Sequence, residues 1–158
     1  MIDRRTLLGG GSAAVVAVLL FGRSTDAAAA RFPVTKTPAQ WRAQLGPQRY
    51  RILREAGTER AFSSPLDNER RRGRYLCAGC ALPLFASATK YDSGTGWPSF
   101  FRALPRAVVT RGPRRAFFGT EILCARCGGH LGHVFTDGPK PTGLRYCMNG
   151  LALRFQPA

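Results

Sequence analysis

The chain has 158 residues, 24 Lys and Arg against 9 Asp and Glu, and a net charge of +15. This length allows one ordinary domain and little more. The charge gives a weak general attraction to nucleic acid or anionic surfaces, yet the arginines are spread along the chain. The only tight cluster is Glu69-Arg70-Arg71-Arg72-Gly73-Arg74, read as a solvated loop, with a patch for an acidic partner as the other reading.

Residues 1–30 have a charged start, an apolar run over about Leu7 to Gly22, and a small-residue end at Ala27–Ala30. That is the layout of a secretory signal. The run is short and rich in Gly and Ala, whereas a spanning helix needs roughly 20 strongly apolar residues. Arg4-Arg5 before Thr6-Leu7-Leu8 resembles the twin-arginine export signal. Cleavage within Ala27–Ala30 and a periplasmic destination are expected, with an uncleaved N-terminal anchor as the alternative. The signal holds three Arg and two Asp, so 21 basic and 7 acidic residues leave +14 on residues 31–158. Those residues form the expected single domain, long enough to bury a modest core.

Thr37-Pro38-Ala39-Gln40 opens a helix: Thr37 caps it, Pro38 takes the first position, and Gln40 bonds back as in a capping box. This helix is expected to stop at Gly46. Pro47 starts a second helix, to about Glu55, with Gly57 just past its end. Tyr50, Leu53 and Ala56 form its expected buried stripe, and Trp41 is read as core. From Gly73 onward short β-prone runs alternate with Gly and Pro. They are Arg74 to Leu76, Ala107 to Thr110, Phe117 to Cys124, His133 to Phe135, and Leu144 to Phe155. This spacing predicts a small, mainly antiparallel β domain.

Five cysteines carry the chemistry. Cys77-Ala78-Gly79-Cys80 and Cys124-Ala125-Arg126-Cys127 are two C-x-x-C pairs, which together supply the four soft ligands a tetrahedral zinc prefers. The loop between them is long, but loop-closure entropy grows only slowly with length. Two disulfides are the competing reading for an exported protein. Four thiolates close the zinc shell, so such a zinc is structural. Cys147 is left over. In a strand, Arg145, Cys147 and Asn149 share one face, with Tyr146 and Met148 on the other. An arginine two residues from a thiol favours the reactive thiolate; a buried, inert thiol is the alternative.

Tyr91-Asp92-Ser93-Gly94-Thr95-Gly96-Trp97-Pro98-Ser99-Phe100 resembles the D-S-G-x-G-W-P-S-F block of methionine-R-sulfoxide reductases. Cys127 to Phe135 resembles their C-x-x-H-L-G-H-V-F block, and Asp137 to Pro139 and Pro141 to Asn149 continue the likeness. It runs from about Val34 to the end. The resemblance implies two small antiparallel sheets with short helices at the N-terminal side. It implies Cys147 as nucleophile and Cys77, Cys80, Cys124 and Cys127 as ligands of one structural zinc. Trp97 packs against the substrate's S-methyl group, with Phe135 as a further substrate contact. His130, His133, Asp137, Arg145 and Asn149 surround the sulfoxide oxygen and the thiolate. Strand alternation alone sets His130 and His133 on opposite faces, so both reach one pocket only if Gly132 kinks the chain.

Many relatives carry a resolving cysteine where this chain has Thr95. No cysteine remains for that role, so regeneration of Cys147 by an external thiol is expected, from a thioredoxin-like protein or a small thiol. Oxidised proteins are the expected substrates and a monomer the expected state, with no specific nucleic-acid partner and no stable membrane span after cleavage. Two rivals remain: a zinc-ribbon binding module for nucleic acid, and an exported zinc-binding or redox-sensing protein without turnover.

Overall fold

The structure is a computed structural model that describes residues 32–112 and 119–158. The signal over residues 1–30, with Arg31, lies outside the described residues, as do Phe117 and Phe118 of the third β-prone run. Helix α1 (Pro38–Glu55) carries the full capping box: Thr37 Oγ1 accepts from Gln40 N at 3.2 Å, and Gln40 Oε1 accepts from Thr37 N at 2.9 Å. It consists of the two expected segments joined at Gly46, whose φ of 68° and ψ of 171° break the helical path. No helix of the described residues is long and apolar enough to cross a membrane.

Two expectations at the C-terminal end of α1 are corrected. The left-handed cap is Ala56, at φ 51°, rather than Gly57. Ala56 is also exposed and leaves the buried stripe to Trp41, Leu45, Tyr50, Ile52 and Leu53. Trp41, 2 % exposed, is core as read.

Among the described residues nine strands follow, all antiparallel. Sheet one has the order β2 (Pro83–Ala86), β1 (Gly73–Cys77), β9 (Leu153–Pro157). Sheet two has the order β3 (Lys90–Tyr91), β4 (Ser99–Phe100), β8 (Arg145–Met148), β7 (His130–Phe135), β6 (Thr120–Cys124), β5 (Val108–Arg111). The fold class is therefore the one expected: mainly β, two antiparallel sheets and an N-terminal helical segment. The run from Leu144 to Phe155 is not one strand. It breaks at Asn149 into a 3₁₀ turn over Gly150–Ala152, so β8 and β9 enter different sheets.

Aromatic rings join the sheets. Phe85 of β2 stacks on Phe100 of β4 at 4.3 Å, Tyr75 of β1 meets Phe100 edge-on at 4.8 Å, and Phe85 meets Tyr146 of β8 at 5.7 Å. Each such pair adds about 0.5–1.5 kcal/mol beyond its buried area. Because successive residues of a strand alternate faces, burying Phe100 and Tyr146 turns their neighbours Ser99 and Cys147 to the opposite face of sheet two.

Candidate active site and metal centre

Cross-strand pairing places one row of side chains on that opposite face. Arg111 pairs with Glu121, Glu121 with His133, His133 with Cys147, Cys147 with Ser99, and Ser99 with Tyr91. Directly opposed residues hold their Cβ atoms about 4.5–5.5 Å apart, so Cys147 sits between an imidazole and a hydroxyl. The thiol is only partly buried.

His130 joins this face by a bulge. Between Ile122 and Leu123 the pairing skips Leu131, so His130 and Gly132 oppose adjacent residues of β6. One extra residue turns an odd spacing into an even one. The imidazoles of His130 and His133 then meet at 5.4 Å between ring centroids. The expected kink at Gly132 is real: its φ is 153°, and a Cβ there would lie 2.2 Å from Cys147 O.

Neither Glu121 nor Arg111 entered the sequence reading. Glu121 sits three residues before a zinc-type cysteine and belongs to no block of rare residues, so only pairing reveals it. Its carboxylate lies 2.8 Å from Nδ1 of His130, which is 3 % exposed. Arg111 donates to the same carboxylate at 2.6 and 2.7 Å. A carboxylate only accepts, so Nδ1 of His130 carries a hydrogen and donates it to Glu121. Burial alone would raise the Glu121 carboxyl, but the hydrogen bonds from Arg111 and His130 outweigh it and hold the group below its ordinary range. Burial, reinforced by the neighbouring His130, pushes the His133 imidazole below its usual value.

The depressed Glu121 carboxyl gives a signed expectation. Its stabilising contribution is complete above the unfolded value near 4.3 and is lost as pH falls through the lower folded value. Glu121→Gln should therefore cost about 1–3 kcal/mol near pH 7, and its deficit should shrink towards pH 3 in urea melts taken across that range.

On the other side of the thiol, Thr95 Oγ1 lies 3.7 Å from Cys147 Sγ. Ser93 Oγ bridges Thr95 Oγ1 at 2.8 Å and Ser99 Oγ at 2.7 Å, a hydroxyl chain that ends at the sulfur. Arg145 donates twice to Asp137, at 2.9 and 2.7 Å, and its guanidinium lies 4.2 Å from the Phe135 ring centroid. These hydrogen bonds hold the Asp137 carboxyl down and the Arg145 guanidinium up. Arg145, Asp137, Tyr91 and Thr95 line one cleft of about 410 Å³.

Trp97 and Asn149 meet at Glu59. Trp97 Nε1 donates to Glu59 O at 3.2 Å, and Asn149 Oδ1 accepts from Glu59 N at 3.0 Å. Asn149 Nδ2 donates to Leu131 O at 3.2 Å. The expectation that Asn149 shares the strand face of Arg145 and Cys147 is corrected. β8 ends at Met148, and Asn149 is 3 % exposed with its carboxamide clamped between two main-chain segments. One Nδ2 hydrogen remains to be donated.

The four paired cysteines converge. Their sulfurs all lie within 4.8 Å of one another, with Cys77 to Cys127 at 3.7 Å and Cys80 to Cys124 at 3.5 Å. All are free thiols rather than the two disulfides weighed from the sequence. A tetrahedral zinc with bonds of about 2.3 Å sets its ligands roughly 3.8 Å apart, so the donor set fits one zinc ion with a closed shell. Helix α1 buttresses the cluster: Gln44 Nε2 donates to Gly79 O at 2.6 Å and Arg54 to Cys127 O at 2.9 Å.

A half-buried thiol among proton donors, set apart from a closed four-thiol metal cluster, defines a class: an oxidoreductase that works through one sulfur. Comparison with known proteins sharpens this. The SelR domain matches residues 45–157. The peptide methionine sulfoxide reductase MsrB of Thiobacillus denitrificans is 56 % identical over 128 residues, 77 % of this chain and 94 % of the relative. The proteins of the same name from Agrobacterium fabrum and Leptospira interrogans are 55 % and 50 % identical. They match 78 % and 79 % of this chain and 93 % and 97 % of their own lengths. The chain belongs to the MsrB family, and the zinc-ribbon binding module is not favoured.

Proposed function

We propose that the protein reduces methionine-R-sulfoxide in oxidised proteins, with Cys147 as nucleophile. The observation that carries this is the position of Cys147 in the cross-strand row, between His133 and Ser99 and 3.7 Å from Thr95 Oγ1. The Cys147 thiolate attacks the sulfoxide sulfur, a proton from His133 or His130 goes to the oxygen, and the oxygen passes to Cys147. The products are a Cys147 sulfenic acid, oxidised by two electrons, and a thioether, reduced by two. His is the donor suited to neutral pH.

Arg145 and Asp137 form the charged wall of the cleft, and Asn149 holds the backbone beyond Cys147. Trp97 and Phe135 supply apolar walls for the substrate's S-methyl end. Cys77, Cys80, Cys124 and Cys127 hold zinc, which supplies structural cross-linking and no electrons.

The sulfenic acid needs an outside reductant, since Thr95 forms no disulfide. A first external thiol forms a mixed disulfide with Cys147 and releases water; a second releases the Cys147 thiol and a disulfide. A thioredoxin-like protein or a small thiol would serve. One turnover without reductant should leave Cys147 one oxygen heavier by mass spectrometry; an internal disulfide to Cys147 would refute this. Thr95→Cys places a sulfur where Oγ1 now lies 3.7 Å from Cys147 Sγ. After the same turnover this variant should show a 95–147 disulfide.

Residues 1–30 support export, through Arg4-Arg5, the apolar run and Ala27–Ala30. The reading is a twin-arginine signal, cleavage to a domain of residues 31–158, and a monomer in the periplasm. Export of folded cargo lets zinc load in a reducing cytoplasm. Arg4→Lys with Arg5→Lys should trap the uncleaved chain in the cytoplasm, and unchanged export would sink the twin-arginine reading.

A further inference from the structure

Behind Glu59 lies a second cleft, of about 700 Å³, which the sulfoxide chemistry leaves unused. Arg49, Arg51, Arg60 and Arg154 line it. Among the described residues none of the four forms an ion pair with a carboxylate. The one acidic group in the lining, Glu59, is 7 % exposed, and its two oxygens accept from Gly150 N at 2.5 Å and Leu151 N at 2.9 Å. Its carboxylate is thus turned to the main chain rather than to the arginines. Burial and repulsion from Arg154 both act against the charge on Arg49, so an anion set between the two guanidiniums relieves a cost already present.

One residue of the cleft wall is close to Cys147 along the chain. Gly150, which lines it, follows Cys147 by three residues, so their Cα atoms are at most about 11 Å apart. That is the span of about three extended residues of a bound peptide. Glu59, which lines this cleft, also anchors both Trp97 and Asn149.

We propose that this cleft is a subsite for an acidic stretch of the oxidised polypeptide, lying about three residues from the methionine sulfoxide. The proposal rests on the reductase reading above. Its occupant follows from charge: four arginines, with the only carboxylate in the lining already engaged, select an anionic partner. The lining, which also includes Ser63 and Thr58, suits a flexible carboxylate-bearing chain.

The test uses the full mature chain and two kinds of substrate. One is a blocked methionine sulfoxide amide, which is too short to reach the arginines. The others are blocked peptides with Glu, Gln or Lys two to four residues from the sulfoxide. At low ionic strength kcat/KM for the Glu peptides should exceed that for the Gln peptides by about tenfold, mainly through KM, and 0.5 M salt should erase most of the difference. Arg49→Gln with Arg154→Gln should abolish the preference while the amide is still reduced at the wild-type rate. Arg60→Gln, on the exposed rim, should weaken it without touching the core. Arg72→Gln with Arg102→Gln removes the same charge elsewhere and should leave it intact.

Equal kcat/KM for Glu and Gln peptides would overturn the subsite. So would a preference that the Arg72/Arg102 pair reduces as much as the Arg49/Arg154 pair, since net charge would then explain it. Footprinting of a single-stranded oligonucleotide on these arginines, without any peptide preference, would also overturn it. Failure of the wild-type chain to reduce even the amide would instead defeat the reductase reading.

Discussion

Cys147→Ser is expected to lower sulfoxide reduction by at least about 10⁴-fold, with zinc content and thermal stability unchanged. The magnitude follows from what is removed. A serine hydroxyl is far less ionised than a thiol near neutral pH, and its oxygen is a poorer nucleophile towards sulfur. Removing the nucleophile of a covalent mechanism leaves only the contribution of binding and polarisation. The structure makes the fold insensitive to the change. Cys147 is partly exposed, its face carries polar groups, and none of the four clustered sulfurs depends on it. Steady-state reduction of the two epimers of a blocked methionine sulfoxide, with dithiothreitol as donor, provides the measurement. Activity of the serine variant within tenfold of the parent would remove Cys147 from the mechanism. Exclusive turnover of the S epimer by the parent would contradict the stereochemistry proposed.

The cysteines were the most legible part of the sequence, because two C-x-x-C spacings leave one residue over, and spacing survives folding. The β character from Gly73 onward was legible too, through short runs punctuated by Gly and Pro. The capping box at Thr37 was read to the residue, since its partners are three positions apart. What local pattern could not reach was anything set by pairing across strands. The strands Lys90–Tyr91 and Ser99–Phe100 have two residues each, too short for any periodicity. Alternation would separate His130 from His133; the bulge that joins them is a property of β6 and β7 together. Glu121 and Arg111 are ordinary surface residue types until β5, β6 and β7 align. Asn149 was misassigned for a related reason. A strand pattern predicts faces only while the strand continues, and the 3₁₀ turn at Gly150 ends it.

Cys124→Ser is expected to cost the chain both its metal and its fold. The apparent binding free energy of a structural four-ligand zinc is on the order of 10–16 kcal/mol in small peptides. A whole domain is stable by only about 5–15 kcal/mol, so most of that stability can reside in the metal. Position decides where the loss is felt. Cys124 and Cys127 form the turn between β6 and β7, with Gly128 N bonded to Cys124 O at 2.9 Å and Cys124 N to Gly129 O at 2.9 Å. Cys77 ends β1, the central strand of sheet one, so the cluster pins that strand to the turn. Glu121 lies three residues before the turn and His130 and His133 begin just after it, so a metal bound by the four sulfurs would hold the β6–β7 register that joins the two imidazoles. The parent chain should contain one zinc per molecule. A strong chelator, or the Cys124→Ser change, should lower its midpoint of thermal unfolding by more than about 10 °C and abolish activity together with it. Acid should act in the same way, because protons compete with zinc for the thiolates, so zinc release and unfolding should coincide on a pH titration. A chain that loses its zinc yet keeps its melting temperature and its reductase activity would show that the four sulfurs are not what holds the two sheets together.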